Sequence, residues 1–143
     1  MIRTEKNMTY DKKMLVDRAC EARHKAYSPY SQFCVGAALL CKDGKVYLGA
    51  NIENAAYSPG ICAERVAFSE AVFHGERDFV AIAVVGGAAG EEVCQMFSPC
   101  GVCRQVMAEF CSSDFTVAMT DGDIIKTVTL GELFPLGFGK DNL

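Results

Sequence analysis

The stretch Phe79-Val80-Ala81-Ile82-Ala83-Val84-Val85 is an unbroken run of apolar residues. A continuous run of this kind fits a β-strand that is covered on both faces, because a strand with one wet face alternates apolar and polar residues. Extended to Gly90, the uncharged run holds a dozen residues, well short of the roughly 20 that a membrane-spanning helix needs. The stretch therefore predicts a buried strand and its following loop.

The remaining residues alternate between helical and strand patterns around this buried strand. Apolar residues at spacings of three or four predict helices in three segments, at 9–27, 62–74 and 101–111. Short β-rich runs predict further strands in four segments, at 33–41, 46–52, 115–119 and 124–128. The Asp43-Gly44 pair between the first two runs is a strong signal for a β-hairpin.

Strands that alternate with helices favour an α/β domain. We expect a largely parallel sheet with helices on both faces and one antiparallel hairpin at its edge. The 143 residues fit a single domain, residues 1–143, in which residues 1–8 look like a short N-terminal extension. Ligands of such sheets bind where strands end and helices begin, and two groups of cysteines fall at predicted helix starts.

Composition and charge exclude several classes of protein. The formal net charge is −4, and no cluster of basic residues is longer than Lys12-Lys13, so a nucleic-acid partner is not expected. The first residues mix both signs of charge and lack the apolar segment of a secretory signal. We therefore expect a cytoplasmic protein without a membrane partner, whose eight cysteines bind metal or are simply buried.

The cysteines at the helix starts form a pattern typical of a metal site. Cys62-Ala63-Glu64 opens one predicted helix, and Pro99-Cys100-Gly101-Val102-Cys103 opens another. The partial positive charge of a helix N-terminus favours thiolate. Three thiolates, from Cys62, Cys100 and Cys103, fit one Zn²⁺ per chain and leave its fourth tetrahedral position open to water, as in catalytic zinc sites.

The neighbours of these cysteines carry the remaining chemistry. Glu64 lies two residues after the first ligand, where its carboxylate can take a proton from water at the metal and deliver it elsewhere. Arg65 and Arg104 each adjoin a ligand. We assign both arginines to offsetting the negative charge of three thiolates.

Other interpretations of the same residues stay open at this stage. A Cys-x-x-Cys pair is by itself more often structural or redox-active than catalytic, and a glutamate in a first helical turn is often only favoured by the helix dipole. An aromatic residue such as Phe33 or Phe138 fits a core or the packing of a tail equally well. A zinc-stabilised binding module without catalysis is therefore one alternative.

The whole pattern resembles the small homotetrameric cytidine deaminases of the three-cysteine zinc type. The resemblance is carried by a Cys-x-Glu followed by a Pro-Cys-x-x-Cys, the signature of zinc deaminases with cysteine in place of the first histidine. It extends over nearly the whole chain, through the segments at 27–33, 35–39, 51–57, 62–65, 99–105 and 132–135. Phe134 departs from the family pattern, in which leucine is usual.

The resemblance implies a fold and an activity. The fold is a three-layer α-β-α sandwich with a five-stranded mixed sheet. The activity is the zinc-dependent hydrolysis of cytidine and 2′-deoxycytidine to uridine and 2′-deoxyuridine, with release of ammonia, in pyrimidine salvage. The nearest alternative within enzymes is a deaminase of another small cytosine compound, such as the blasticidin S deaminases, and deamination of nucleic acid is disfavoured by the charge.

The resemblance also implies the residues that bind the nucleoside. Asn51 and Glu53 match the pair that hydrogen-bonds the ribose 3′-hydroxyl, and Phe33 packs against the base. Ala63 belongs to the same substrate site. Tyr57 and Phe138 match residues that reach the site of a neighbouring subunit, so the resemblance implies a homotetramer with shared sites.

Overall fold

The computed structural model describes residues 9–92 and 94–143, so the predicted N-terminal extension lies outside the described residues. Helices and strands alternate along the chain as the sequence patterns predict. In chain order they are α1 (Lys12–Arg23), β1 (Phe33–Cys41), β2 (Val46–Ala50), α2 (Ala63–Phe73), β3 (Phe79–Ala88), α3 (Gly101–Phe110), β4 (Thr116–Thr120), β5 (Ile125–Thr129) and α4 (Leu130–Leu133). A single 3₁₀ turn, Lys140–Asn142, follows α4.

The predicted elements are confirmed, although β3 runs three residues further than predicted and the bounds of α1 differ at both ends. Helix α1 begins at Lys12 and not at residue 9 because Asp11 caps it, accepting the Met14 N–H at 3.0 Å, and it ends at Arg23, four residues before the predicted end. Helix α4 had no counterpart among the predicted elements. It starts with a capping box, in which the Thr129 and Glu132 side chains each accept the other's backbone N–H.

The sheet is five-stranded and mixed, as the resemblance implies, and this corrects the largely parallel sheet expected from the alternation of strands and helices. Its strand order is β2-β1-β3-β4-β5, and among its neighbouring pairs only β3 and β4 run parallel. Helix α2 does connect two strands of the same direction, as a crossover helix should. However, β1 inserts between β2 and β3 and runs antiparallel to both, so the crossover yields no parallel pair.

Helices cover both faces of the sheet, which confirms the three-layer α-β-α arrangement. Helix α1 packs on one face through Leu15 and Ala19, against small residues that include Ala38, Ala83 and Ala118. Helices α2 and α3 lie on the other face, where Phe68 and Met107 are fully buried against the sheet. No helix within the described part of the chain is both long and apolar enough to cross a membrane.

Close backbone contacts bring α2 to the edge of the sheet. At Gly49 in β2, an added Cβ would lie 2.3 Å from the Ala63 carbonyl oxygen, so only glycine allows the first turn of α2 to approach this closely. Ile52 then pairs with Ile61 in an antiparallel bridge. The bridge closes the loop at 53–60 and returns the chain to the start of α2.

Candidate active site

Two helix N-termini converge at one end of the sheet, and each is opened by a cysteine. Cys62 is the N-cap of α2 and Cys100 is the N-cap of α3, while Cys103 lies in the first turn of α3. Neither N-cap side chain forms a capping hydrogen bond. Their sulfur atoms are therefore available to a metal, in a region where both helix dipoles favour negative charge.

The three predicted zinc ligands form one cluster. The sulfur atoms of Cys62, Cys100 and Cys103 all lie within 4.8 Å of one another, and those of Cys62 and Cys100 are 3.8 Å apart. Tetrahedral Zn²⁺ with Zn–S bonds of about 2.3 Å separates its sulfur ligands by about 3.8 Å. The donor set and its spacing thus fit zinc without a change of fold.

Charges around the cluster favour thiolate at Cys62. The pKa of the Cys62 thiol is lowered to about 5, first by a hydrogen bond from Cys103 and then by Arg65, whose Nη2 lies 3.4 Å from the Cys62 sulfur. The same hydrogen bond and burial raise the pKa of the Cys103 thiol. Cys62 therefore favours the thiolate form and Cys103 the thiol form, and a metal that binds all three cysteines as thiolates must displace the remaining protons.

Glu64 is the most deeply buried carboxylate of this site. It follows the N-cap of α2 by two residues, and only 3% of its surface is exposed. Burial raises the pKa of its carboxyl to about 7, with a smaller contribution from Cys62. A buried carboxyl with a pKa near neutrality can both accept and donate a proton.

A cavity of about 770 Å³ lies in front of the cysteine cluster. Its walls come from the loop before β1, the loop before α2, the starts of α2 and α3, and the segment before α3. Of the predicted site residues, the cavity is lined by Asn51, Glu53, Tyr57, Cys62, Ala63, Glu64, Arg65 and Cys100. Residues from distant parts of the sequence are thus brought together.

The side chain of Asn51 is held by the backbone of β1. Its Oδ1 accepts the Val35 N–H at 2.9 Å, and its Nδ2 donates to the Phe33 carbonyl at 3.0 Å. An amide oxygen has two lone pairs and an amide nitrogen has two hydrogens. One hydrogen of Nδ2 is therefore left over once these two bonds are made, and the amide is fixed at the cavity wall.

Glu53 is held by the loop that precedes β1. Its carboxylate accepts hydrogen bonds from the Tyr30 and Ser31 backbone N–H groups and from the Ser31 hydroxyl. These bonds, with the Ser31 hydroxyl first, lower the pKa of the Glu53 carboxyl. Glu53 is therefore an ionised acceptor in the wall of the cavity that the Asn51 amide also lines.

Phe33 is not part of the cavity lining, but its ring packs against that of Phe97, which is. The two rings meet edge to face, with their centroids 5.9 Å apart, and Phe97 lines the cavity. Both rings pack over Gly86, where an added Cβ would lie 2.5 Å from Phe97. Phe97 is not among the predicted site residues, and its only local signal is its position three residues before Cys100.

Two of the predicted residues, Tyr57 and Phe138, are open to solvent. Tyr57 is 99% exposed at the mouth of the cavity, and Phe138 is 58% exposed. Phe138 lies outside the cavity and lines a separate depression with Phe134. Its carbonyl accepts a hydrogen bond from Gln105 Nε2 at 2.9 Å, which holds this part of the C-terminal segment against α3.

The Arg104 guanidinium donates to three oxygen acceptors and to none of the ligand sulfur atoms. Its Nε donates to the Pro99 carbonyl at 2.7 Å, its Nη2 donates to the Ser98 hydroxyl at 2.8 Å, and its Nη1 donates to the Leu133 carbonyl. The guanidinium therefore connects the loop before Cys100 to α4. Its assignment to charge compensation stays a prediction.

Comparison with known proteins agrees with the geometry of this site. The sequence model of the cytidine and deoxycytidylate deaminase zinc-binding region matches residues 9–119. A cytidine deaminase from Sporosarcina psychrophila is 50% identical over 135 residues, which are 93% of this chain and 95% of that protein. A blasticidin-S deaminase from Bacillus cereus is 33% identical over 110 residues, which are 75% of this chain and 78% of that protein.

A solved structure extends the likeness to the fold. The crystal structure of a cytidine deaminase from Burkholderia pseudomallei superimposes with a TM-score of 0.82 at 43% sequence identity, and covers 90% of this chain and 100% of its own. The fold and the cysteine cluster thus place the protein in the class of zinc-binding deaminases. The chain belongs to the cytidine and deoxycytidylate deaminase family.

Proposed function

We propose that this protein hydrolyses the 4-amino group of cytidine and 2′-deoxycytidine in pyrimidine salvage. The products are uridine or 2′-deoxyuridine and ammonia. The observation that carries the proposal is the buried Glu64 carboxyl beside three clustered cysteine sulfurs, in a cavity that also holds the Asn51 and Glu53 pair. One end of this cavity offers hydrolytic chemistry, and the other offers polar groups for a sugar.

Cys62, Cys100 and Cys103 would hold the zinc ion. A zinc ion bound there supplies a Lewis acid that lowers the pKa of water to near neutrality. Arg65 donates a hydrogen bond to the Cys62 sulfur and offsets part of the negative charge that three thiolates bring. Because less negative charge would then remain at the cluster, a bound metal ion would stay an effective electrophile.

Glu64 would act as the proton carrier of the reaction. Its carboxylate takes a proton from the attacking water and delivers it to N3 of the cytosine ring, so that the oxygen adds at C4. Glu64 then passes the second proton of the water to the 4-amino group. The C4–N bond breaks, and the protonated amino group leaves as ammonia. Each proton has one donor and one acceptor, and the carboxylate is regenerated at the end of the cycle.

Asn51 and Glu53 would form hydrogen bonds with the ribose 3′-hydroxyl. A hydroxyl both donates and accepts a hydrogen bond. Glu53 can only accept, whereas Asn51 retains one N–H that can donate. The two side chains are complementary to a single hydroxyl, and this supports a nucleoside as the substrate over a cytosine compound without a sugar.

The base would lie between these two ends of the cavity. Ala63 lines the cavity with a small side chain and leaves space for the ring. Phe97 would contact the face or edge of the base, since aromatic rings pack in both ways, and Phe33 would complete this aromatic wall by packing edge to face on Phe97. The size of the cavity, about 770 Å³, is within the range of small-molecule sites.

We also propose that the protein is a homotetramer whose sites are shared between subunits. The exposure of Tyr57 and Phe138 supports this, because both aromatic rings would become covered by a neighbouring chain. Light scattering on the purified protein tests the assembly directly. A mass of one chain, at concentrations where the protein is active, would exclude shared sites.

The decisive experiment follows the ultraviolet absorbance of cytidine mixed with the purified protein. We expect steady conversion to uridine, loss of conversion after the zinc is chelated, and recovery when zinc is added back. Blasticidin S serves as the competing substrate, since one relative carries that name. Conversion of blasticidin S without conversion of cytidine or 2′-deoxycytidine would overturn the proposal, and so would a zinc-loaded protein that converts none of them.

A further inference from the structure

We infer that Ser31 is a positioning residue for the sugar end of the site, because its hydroxyl fixes the Glu53 carboxylate at the cavity wall and ties it to β1. The inference deepens the proposed function and rests on it. Ser31 carries no signal of its own in the sequence beyond its place in the loop before Phe33. The contacts of its hydroxyl assign its role.

The Ser31 hydroxyl connects two parts of the site. It donates a hydrogen bond to Oε2 of Glu53 and accepts the Phe33 backbone N–H at 3.0 Å. The Ser31 backbone N–H also donates to Oε1 of Glu53, at 3.1 Å. One residue therefore links the carboxylate to the first residue of β1.

The loop that presents Ser31 is itself pinned on both sides. Gln32 adopts a left-handed backbone conformation with φ of 60°, which is uncommon for a residue other than glycine. Its N–H donates to the Ser28 carbonyl at 3.0 Å, and its carbonyl accepts the Ala89 N–H at 2.8 Å. The turn is therefore over-determined, so the hydroxyl is held in place before any ligand binds.

The bonds to Glu53 leave one direction for a ligand. A carboxylate offers about four acceptor positions, and three of them are taken by Tyr30 and Ser31. The remaining position can accept one hydrogen bond, from a donor such as a hydroxyl. Without the Ser31 hydroxyl, Oε2 would lose its partner, and only the two backbone N–H groups that donate to Oε1 would hold the carboxylate.

The test compares two substrates that differ only at the group Glu53 is proposed to bind. Cytidine and 3′-deoxycytidine are measured with the wild type, Ser31→Ala and Ser31→Thr. For Ser31→Ala we expect KM for cytidine to rise about tenfold, as for the loss of one well-placed hydrogen bond to a charged group. We expect kcat to stay within about twofold and kcat/KM for 3′-deoxycytidine to be unchanged.

Several variants separate a positioning role of Ser31 from general damage to the fold. Ser31→Thr keeps the hydroxyl and should restore KM for cytidine. In a Glu53→Gln background, Ser31→Ala should raise KM for cytidine no further, because the two changes remove the same interaction. Ser69→Ala, at an exposed position of α2 outside the cavity lining, is the matched control. If Ser31→Ala folds poorly, Ser31→Cys is used in its place. KM for cytidine should rise again, because a thiol is a weak donor.

The outcomes separate the inference from the proposed function. An equal loss of kcat/KM with both substrates, or an unchanged KM for cytidine in Ser31→Ala, would overturn the role of Ser31 while the wild type still deaminates cytidine. A wild-type protein that converts neither substrate would overturn the proposed function and the inference with it.

Discussion

The starts of α2 and α3 resemble each other in sequence, but the protein uses them differently. Both helices have a cysteine N-cap without a side-chain capping bond. Two residues further on, α2 carries Glu64 with 3% of its surface exposed, whereas α3 carries Val102 with 56% exposed. The first helix start thus supplies one ligand and the buried acid, and the second supplies two ligands.

The arginines beside the ligands differ in the same way. Arg65 places its Nη2 3.4 Å from the Cys62 sulfur, and its buried Nε has no hydrogen-bond partner among the described residues. Arg104 instead makes three hydrogen bonds to the loop before Cys100 and to α4. Proximity to a ligand in sequence therefore does not determine whether an arginine contacts the ligand sulfur or supports the surrounding loops.

The largest effect that tests this difference is expected at Glu64. Glu64→Gln keeps the size of the side chain but cannot carry the proton, so kcat should fall by at least about 10². Zinc content, measured by atomic emission, should stay near the wild-type value. Glu109→Gln makes the same chemical change at an exposed position of α3 and should leave kcat near the wild type. A Glu64→Gln protein that keeps most of its activity would show that the start of α2 does not supply the proton carrier.

A smaller effect, on stability, is expected at Arg104. Arg104→Gln leaves the Pro99 and Leu133 carbonyls without their charged donor, so the free energy of unfolding should fall by about 2 kcal/mol. Urea denaturation followed by circular dichroism measures this. Arg104→Lys should rescue little, because one ammonium cannot reproduce the planar fork that reaches three acceptors. A fully stable Arg104→Gln with reduced kcat would instead support its predicted role in charge compensation.

The smallest effect is expected at Arg65. Arg65→Gln removes the charge next to Cys62, so kcat should fall about tenfold, the size of one hydrogen bond to a charged group. Here Arg65→Lys should recover part of the loss because it keeps the charge. Steady-state kinetics with zinc-loaded protein provide the measurement. Similar stability losses in Arg65→Gln and Arg104→Gln, without a difference in kcat, would remove the distinction between the two arginines.

Prediction from the sequence succeeded where a pattern is local. The β-rich run at 33–41 is strand β1 with the same bounds, and the helices at the two cysteine groups begin within one residue of their predicted starts. Period, caps and turn residues are properties of neighbouring residues. They identify elements whatever the rest of the chain does.

Prediction failed where the outcome depends on which elements become neighbours. The alternation of strands and helices indicated a largely parallel sheet, yet β1 inserts between β2 and β3. Phe97 carries no pattern that predicts a role, and it enters the cavity because Gly86 allows the rings of Phe97 and Phe33 to pack over the strand. Neither fact can be read from spacing along the chain.

The sequence by itself therefore determined the helices and strands, the α/β class and the residue types for a three-cysteine zinc site with an adjacent acid. These follow from the chemistry of side chains and from short-range periodicity. Only the tertiary structure decided the order of the strands, the different directions of Arg65 and Arg104, and the hold of Ser31 on Glu53. These depend on contacts between segments that are far apart in the chain, and such contacts form only when the whole core packs.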